Sequence, residues 1–204
     1  RRGMLLCRLD PSLDAAKPLI LNALLEDAVL PAGFYRVDAS MPFRSVVLVE
    51  AGADVSGPGT LVTLDATGTP TLEIVGASLR GVGMTLNQPG GSVLISGSSW
   101  QGLAGLDARI TAFGSVAIRV QTSTLTNLLL DIGSASPLTI EHSRIEATDQ
   151  LVRWLGYLRG PTRFLDSEVR GLNVIPRKHH GLVAYGPFES ERSTFSRLDY
   201  GLQI

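Results

Sequence analysis

Between Leu72 and Leu198 the chain repeats one short pattern: an apolar residue, two variable positions, a small residue, one variable position, an apolar residue, two variable positions and usually another apolar residue. Its copies are Ile74…Ala77…Leu79…Val82, Ile95…Ser98…Trp100…Leu103, Val120…Ser123…Leu125…Leu128, Ile140…Ser143…Ile145…Thr148 and Phe164…Ser167…Val169…Leu172. A sixth copy, Ser193…Phe195…Leu198, lacks the leading apolar residue. The small residues Ala77, Ser98, Ser123, Ser143, Ser167 and Ser193 are separated by 21, 25, 20, 24 and 26 positions. A period in this range marks stacked supersecondary units, none of which buries its apolar side without its neighbours. The unit predicted is one coil of an all-β, single-chain solenoid: a parallel β-helix, right-handed by the general rule for parallel crossovers.

The rest of each period is filled by short runs of strand character. One set comprises residues 61–64, 84–86, 108–111, 128–132, 151–155, 182–185 and 202–204; a second set, such as residues 116–120 and 137–140, leads into the repeated pattern. These runs are short and seldom joined by Asn-Gly or Asp-Gly, which disfavours the competing fold, a sandwich of antiparallel hairpins. Upstream, Leu21, Leu24, Leu25 and Ala28 fall at helical spacing. They predict a capping helix over residues 12–28, with Ser12 or Asp14 as N-cap and Pro18 close enough to its start to be tolerated. A turn at residues 30–33 and strands at residues 34–38 and 45–50 follow, so that the coils occupy residues 34–204 of a single domain.

The small position has a steric reason. Where inward side chains of successive coils stack at a tight bend there is room for Ser or Ala, and a Ser hydroxyl can satisfy itself on a neighbouring backbone group. The serines are therefore an interior ladder rather than nucleophiles, and none lies in a nucleophile-elbow motif. The register makes a further demand on the variable positions. Arg144 and Glu146 in one coil correspond to Glu168 and Arg170 in the next, opposite charges at both places, about 4.8 Å apart if the coils stack.

Composition narrows the function classes. A 204-residue chain with 44% hydrophobic residues can bury a substantial core. A net charge of −1 leaves no basic surplus for bulk nucleic-acid or anionic-membrane binding. Cys7 is the single cysteine, so there is no internal disulfide framework, and no cluster has metal-ligand spacing; no cofactor is expected. Apolar runs of a few residues are far below the ~20 needed to cross a bilayer, so a soluble protein without membrane insertion is expected. The apolar stretch after Arg1 and Arg2 is too short for a signal peptide, and residues 201–204 read as the opening of another strand. The chain is therefore expected to be a segment of a longer polypeptide, with an end-to-end or partner contact at its C-terminal coil.

Leu30-Pro31-Ala32-Gly33-Phe34-Tyr35-Arg36-Val37, followed by Val46-Val47-Leu48-Val49, resembles the amino-terminal entry of the pectate-lyase-like right-handed β-helix superfamily. The likeness continues through the coils: Gly181-Leu182-Val183-Ala184 and Gly201-Leu202-Gln203-Ile204 resemble the coil openings of carbohydrate-binding and sugar-hydrolase β-helices. The resemblance implies an extracellular, periplasmic or cell-surface protein whose partner is an extended polysaccharide. It implies lyase, hydrolase or uronate-epimerase chemistry only where motifs carry over. The aspartates that calcium-dependent pectate lyases gather on one face are scattered here as Asp65, Asp131 and Asp149, and paired-Asp signatures are absent. Arg177-Lys178-His179-His180-Gly181 is similar to the basic His-Gly coil of alginate epimerases.

That segment is the leading candidate site. It interrupts the otherwise quick return from the repeated pattern to the next strand, and long excursions from a rigid scaffold are where function concentrates. Arg177 and Lys178 beside His179 and His180 could neutralise a uronate carboxylate and move a proton at the adjacent carbon. Arg153, Arg163, Asp166 and Tyr185 are the candidate substrate-binding residues, with Trp154 and Tyr157 as further rings able to stack on sugar faces. His142, beside the ladder residue Ser143, is read as a packed or edge histidine, and Trp100, at a core position of the repeat, is assigned to packing. The competing functional class is a non-catalytic surface, adhesion or structural scaffold.

Overall fold

Apolar residues alternate with polar ones over runs of three to five positions, the period of a strand with one buried side. Several of these runs end at a corner residue with positive φ, as Thr71–Val75 does at Gly76 and Ala117–Gln121 at Thr122. The computed structural model describes residues 6–63, 69–103, 108–148, 154–171, 180–198 and 202–203, and every strand pairing in it is parallel. It is a parallel β-helix in which each coil contributes one strand to each of three faces. Face A stacks Thr60–Thr63, Gly83–Leu86, Arg109–Ala112, Leu129–Ile132, Trp154–Leu158, His180–Ala184 and Leu202–Gln203. Face B stacks Thr71–Val75, Ser92–Ser96, Ala117–Gln121, Leu138–Glu141, Thr162–Leu165 and Phe188–Glu191. Face C is a nine-stranded sheet from Leu19–Ile20 through Ser99–Gln101 and Arg144–Glu146 to Thr194–Ser196. The long strand Ser40–Val49 bends at Ser45 (φ 58°), so its first half pairs on face A and its second half on face B, which joins those faces into one sheet.

The repeated pattern maps onto faces B and C. Its first apolar residue, as in Ile74, Ile95, Val120, Ile140 and Phe164, points inward from face B, and its second, as in Leu79, Trp100, Leu125, Ile145 and Val169, points inward from face C. All ten are at most 1% exposed, which assigns these two positions to the core; the third apolar position is mixed, with Val82 and Leu128 buried and Leu103 exposed. Trp100 is the largest of these buried side chains and donates its indole N–H to the Val82 carbonyl at 2.8 Å. Arg144 lies opposite Glu168, and Glu146 opposite Arg170, in the pairing predicted from charge. The first pair makes a 2.9 Å ion pair, while Glu146 accepts a hydrogen bond from the Thr126 hydroxyl.

One sequence expectation is corrected. No helix forms over residues 12–28, nor anywhere among the described residues. That segment makes an antiparallel bridge from Ser12 to Phe34, a turn in which Asp14 accepts hydrogen bonds from the Ala16 and Lys17 amides, the strand Leu19–Ile20, and most of the strand Leu25–Leu30. The apolar set fits both periods, and tertiary pairing decides between them. The edges of Gly33–Arg36 and Ser40–Val49 offer backbone partners, Asp27 adopts φ 46° at a corner where a helix would have to end, and Leu21, Leu25, Ala28 and Leu30 bury against the first coils. Of the face A strand expected at residues 151–155, residues 151–153 lie outside the described residues, and the strand is described over Trp154–Leu158. Gly156 takes the inward position between Leu130 and Leu182, where a Cβ would meet the Leu130 carbonyl oxygen at 2.9 Å.

Candidate functional site

The corner from face B to face C is two residues long. Its first residue is left-handed in coil after coil: Gly76 (φ 62°), Gly97 (58°), Thr122 (46°), His142 (49°), Asp166 (48°) and Arg192 (47°). Its second residue is the small one of the repeat, turned inward. There the ladder is continuous: the N–H groups of Ala77, Ser98, Ser123, Ser143 and Ser167 each donate to the serine hydroxyl of the following coil, at 3.1–3.2 Å. Those hydroxyls donate back to the carbonyl two residues before them, at 2.6–3.0 Å. These serines are therefore committed to the backbone.

The outward residues of the same corner form a charged column. Arg192 clasps Asp166 with two hydrogen bonds, at 2.6 and 2.8 Å, and also bonds Glu191. His142 stands 3.5 Å from the other side of Asp166. The hydrogen bonds from Arg192, and then the charges of Arg192 and His142, hold the Asp166 carboxyl below the usual carboxylate range. On face B, Glu141 is lowered likewise by hydrogen bonds from Arg119 and Gln121. Arg163 lies outward on face B, facing Glu189 at 3.8 Å and Glu191 at 3.6 Å. Asp166 and Arg163 are thus linked through Arg192 and Glu191 rather than to each other. A carboxylate clasped in this way is a poor proton carrier near neutral pH.

Tyr185 belongs to a different corner, between faces A and B. Backbone hydrogen bonds from Phe113 to Leu86, Gly133 to Ala112, Arg159 to Ile132 and Tyr185 to Leu158 hold this corner in register. They place Asn87, Phe113, Gly133, Arg159 and Tyr185 in one column, a strand spacing of about 4.8 Å apart. The Phe113 and Tyr185 side chains are 62% and 68% exposed, the most exposed rings among the described residues. Between them the Arg159 guanidinium lies over the Tyr157 ring, 5.8 Å from its centroid, and donates to Asp131 at 2.6 Å. Phe113, Gly133 and Arg159 are not singled out by the sequence, because they fall in connections with no apolar pattern; only the register brings them together.

The structure distributes the predicted substrate-binding residues over the two coils instead of converging them: Tyr185 at the A/B corner, Arg163 on face B, Asp166 at the B/C corner. Arg153, Arg177, Lys178 and His179 lie outside the described residues, as do Asp65 and Asp149. His180 begins the strand His180–Ala184 opposite Trp154. Among the described residues no group of three or more His, Cys, Asp or Glu side chains is placed to hold a metal ion, and no helix is long and apolar enough to cross a membrane. Comparison with known families, with curated proteins and with solved structures finds no match for this chain.

Proposed function

We propose that this parallel β-helix is of the pectate-lyase-like type and binds an extended polysaccharide, outside the cytoplasm, along the ridge between faces A and B. The observation that carries this reading is the exposed Tyr185 ring beside Arg159 and Tyr157, fixed on a rigid corner whose neighbouring coil adds Asp131. Aromatic rings present an apolar face to the C–H face of a sugar, and the adjacent polar groups serve its hydroxyls. A β-helix repeats its corners along a straight line, which suits a polymer.

Cleavage or epimerisation would fall to the basic segment holding Arg177, Lys178, His179 and His180. A second reading, a non-catalytic scaffold, is favoured by the pairing of outer carboxylates with arginines on other coils: Asp131 with Arg159, Glu141 with Arg119, Asp166 with Arg192, Glu168 with Arg144. A panel of acidic and neutral polysaccharides, assayed for binding and for ultraviolet-absorbing unsaturated products, separates these. Binding that Tyr185→Ala weakens supports glycan contact. Product formation abolished by Arg177→Ala or His180→Ala adds lyase catalysis, and no binding to any glycan leaves the scaffold.

A further inference from the structure

We infer that the A/B corner is a subsite for a run of neutral sugar units lying along the column from Phe113, past the gap left by Gly133 and past Arg159, to Tyr185, a span of three strand spacings or about 14 Å; this rests on the polysaccharide reading above. The gap is built in. A Cβ on Gly133 would meet the Ala112 carbonyl oxygen at 2.7 Å and the Phe113 Cα at 3.2 Å, so the backbone of the neighbouring coil keeps that position free of a side chain. The column therefore carries no side chain at the Gly133 level, between the exposed Phe113 ring and the Arg159 guanidinium. The Gly133 carbonyl is tied into the turn by the Ser136 amide at 3.1 Å, and the Ser136 hydroxyl bonds the Gly114 carbonyl, so the floor of the gap is fixed.

Charge decides the ligand class. Asp131 and Arg159 neutralise each other through one hydrogen bond, between Oδ1 and Nη1, and the remaining column members Asn87, Phe113, Gly133 and Tyr185 carry no charge. Asp131 Oδ2 and the Arg159 Nη2 and Nε groups have no protein partner among the described residues. An acceptor beside donors, with no net charge, matches sugar hydroxyls, each of which both donates and accepts. An anionic substituent would have to compete with Asp131 for Arg159 and would be repelled by the Asp131 carboxylate. Each ring stacks on the face of a different sugar unit along the glycan, and the ion pair between them meets hydroxyls at its edge.

The test is binding of the intact chain to soluble neutral glycans (a β-glucan, a mannan and a xylan) and to acidic ones (polygalacturonate and alginate), by calorimetry at low and high salt. The expected result is neutral-glycan binding that salt leaves unchanged, with affinity falling about tenfold in Tyr185→Ala and in Phe113→Ala, a loss of the size expected for one aromatic contact. Both side chains are exposed, so the variants should keep the circular dichroism and melting of the parent chain. Asp131→Asn should weaken neutral-glycan binding, since Arg159 is then no longer held. Binding confined to acidic glycans and lost with salt, or neutral-glycan binding untouched by all three variants, overturns the subsite while leaving the polysaccharide reading standing. Failure to bind any glycan overturns both.

Discussion

The backbone N–H of Ser123 donates to the hydroxyl oxygen of Ser143, one coil away, at 3.1 Å, and that hydroxyl donates to the Glu141 carbonyl at 2.7 Å. One buried side chain thus satisfies a donor on the neighbouring coil and an acceptor on its own. The ladder begins where the demand begins. The Ala53 amide is already bonded to the Glu50 carbonyl, so the next residue in the column, Ala77, needs no hydroxyl, whereas the Ala77 amide bonds Ser98. Replacing Ser143 by Ala should strand a buried amide and destabilise the protein by about 1–3 kcal/mol. Denaturant unfolding measures this. Ala77→Ser should bring no comparable gain, and a Ser143→Ala variant as stable as the parent would remove the ladder from the account of stability.

Trp100 combines the largest buried volume of the repeat with a single polar duty. Trp100→Phe keeps most of the apolar contact but leaves the Val82 carbonyl without its donor, an expected loss of about 1–3 kcal/mol. Trp100→Ala adds a cavity and should cost about 3–5 kcal/mol. A Trp100→Phe variant as stable as the parent would mean that the hydrogen bond contributes nothing.

Much of this architecture is legible in the residues. The inward positions of faces B and C recur with a constant internal spacing, and opposite charges at positions 144, 146, 168 and 170 fix the register before any coordinate is known. Three things were not legible, for different reasons. Residues 12–28 present an apolar set compatible with both a helix and strands, and only the edges of the next coil choose. The left-handed corner position is filled by Gly, Thr, His, Asp and Arg in turn, so no side-chain type marks it. The A/B column is read off neither composition nor local pattern, since Phe113, Gly133, Arg159 and Tyr185 become neighbours only through strand register.

The Arg144–Glu168 pair reports register more than stability. Both side chains are substantially exposed, so Arg144→Glu should cost at most about 1 kcal/mol. The swapped double variant, Arg144→Glu with Glu168→Arg, should recover most of that loss. A double variant less stable than the sum of the two single changes would contradict a direct pairing.

Acid sensitivity follows from Asp166 and Glu141. Their carboxyls are lowered in the folded chain, Asp166 by Arg192 and Glu141 by Arg119 and Gln121, so each contributes stability that is complete above the ordinary carboxylate pKa of about 4. That contribution is lost as the pH falls through the lowered folded values. Denaturation midpoints measured from neutral pH down to about pH 2 should therefore drop steeply on the acid side. The double variant Asp166→Asn, Glu141→Gln should start lower at neutral pH and fall less steeply. An acid limb identical to that of the parent would locate the sensitivity elsewhere.

The left-handed column offers the cleanest test of backbone strain, because neighbouring coils solve the same corner differently. Gly76 and Gly97 adopt φ 62° and 58° without penalty, whereas Thr122 holds a β-branched side chain at φ 46°, a conformation unfavourable for that residue type. The Thr122 side chain is exposed and the corner is fixed by its amide, which donates to the Glu141 carbonyl at 3.0 Å. Thr122→Gly keeps that bond and releases the strain, partly offset by the greater entropy of glycine in the unfolded chain. The expected net effect is a stabilisation of about 0.5–1 kcal/mol. Gly97→Ala runs the comparison backwards: a Cβ there meets only the Gly76 nitrogen, at 4.0 Å, so space is available and the expected loss of about 1 kcal/mol is conformational. If Thr122→Gly does not stabilise and Gly97→Ala does not destabilise, strain at this corner is not what distinguishes the glycine coils from the others.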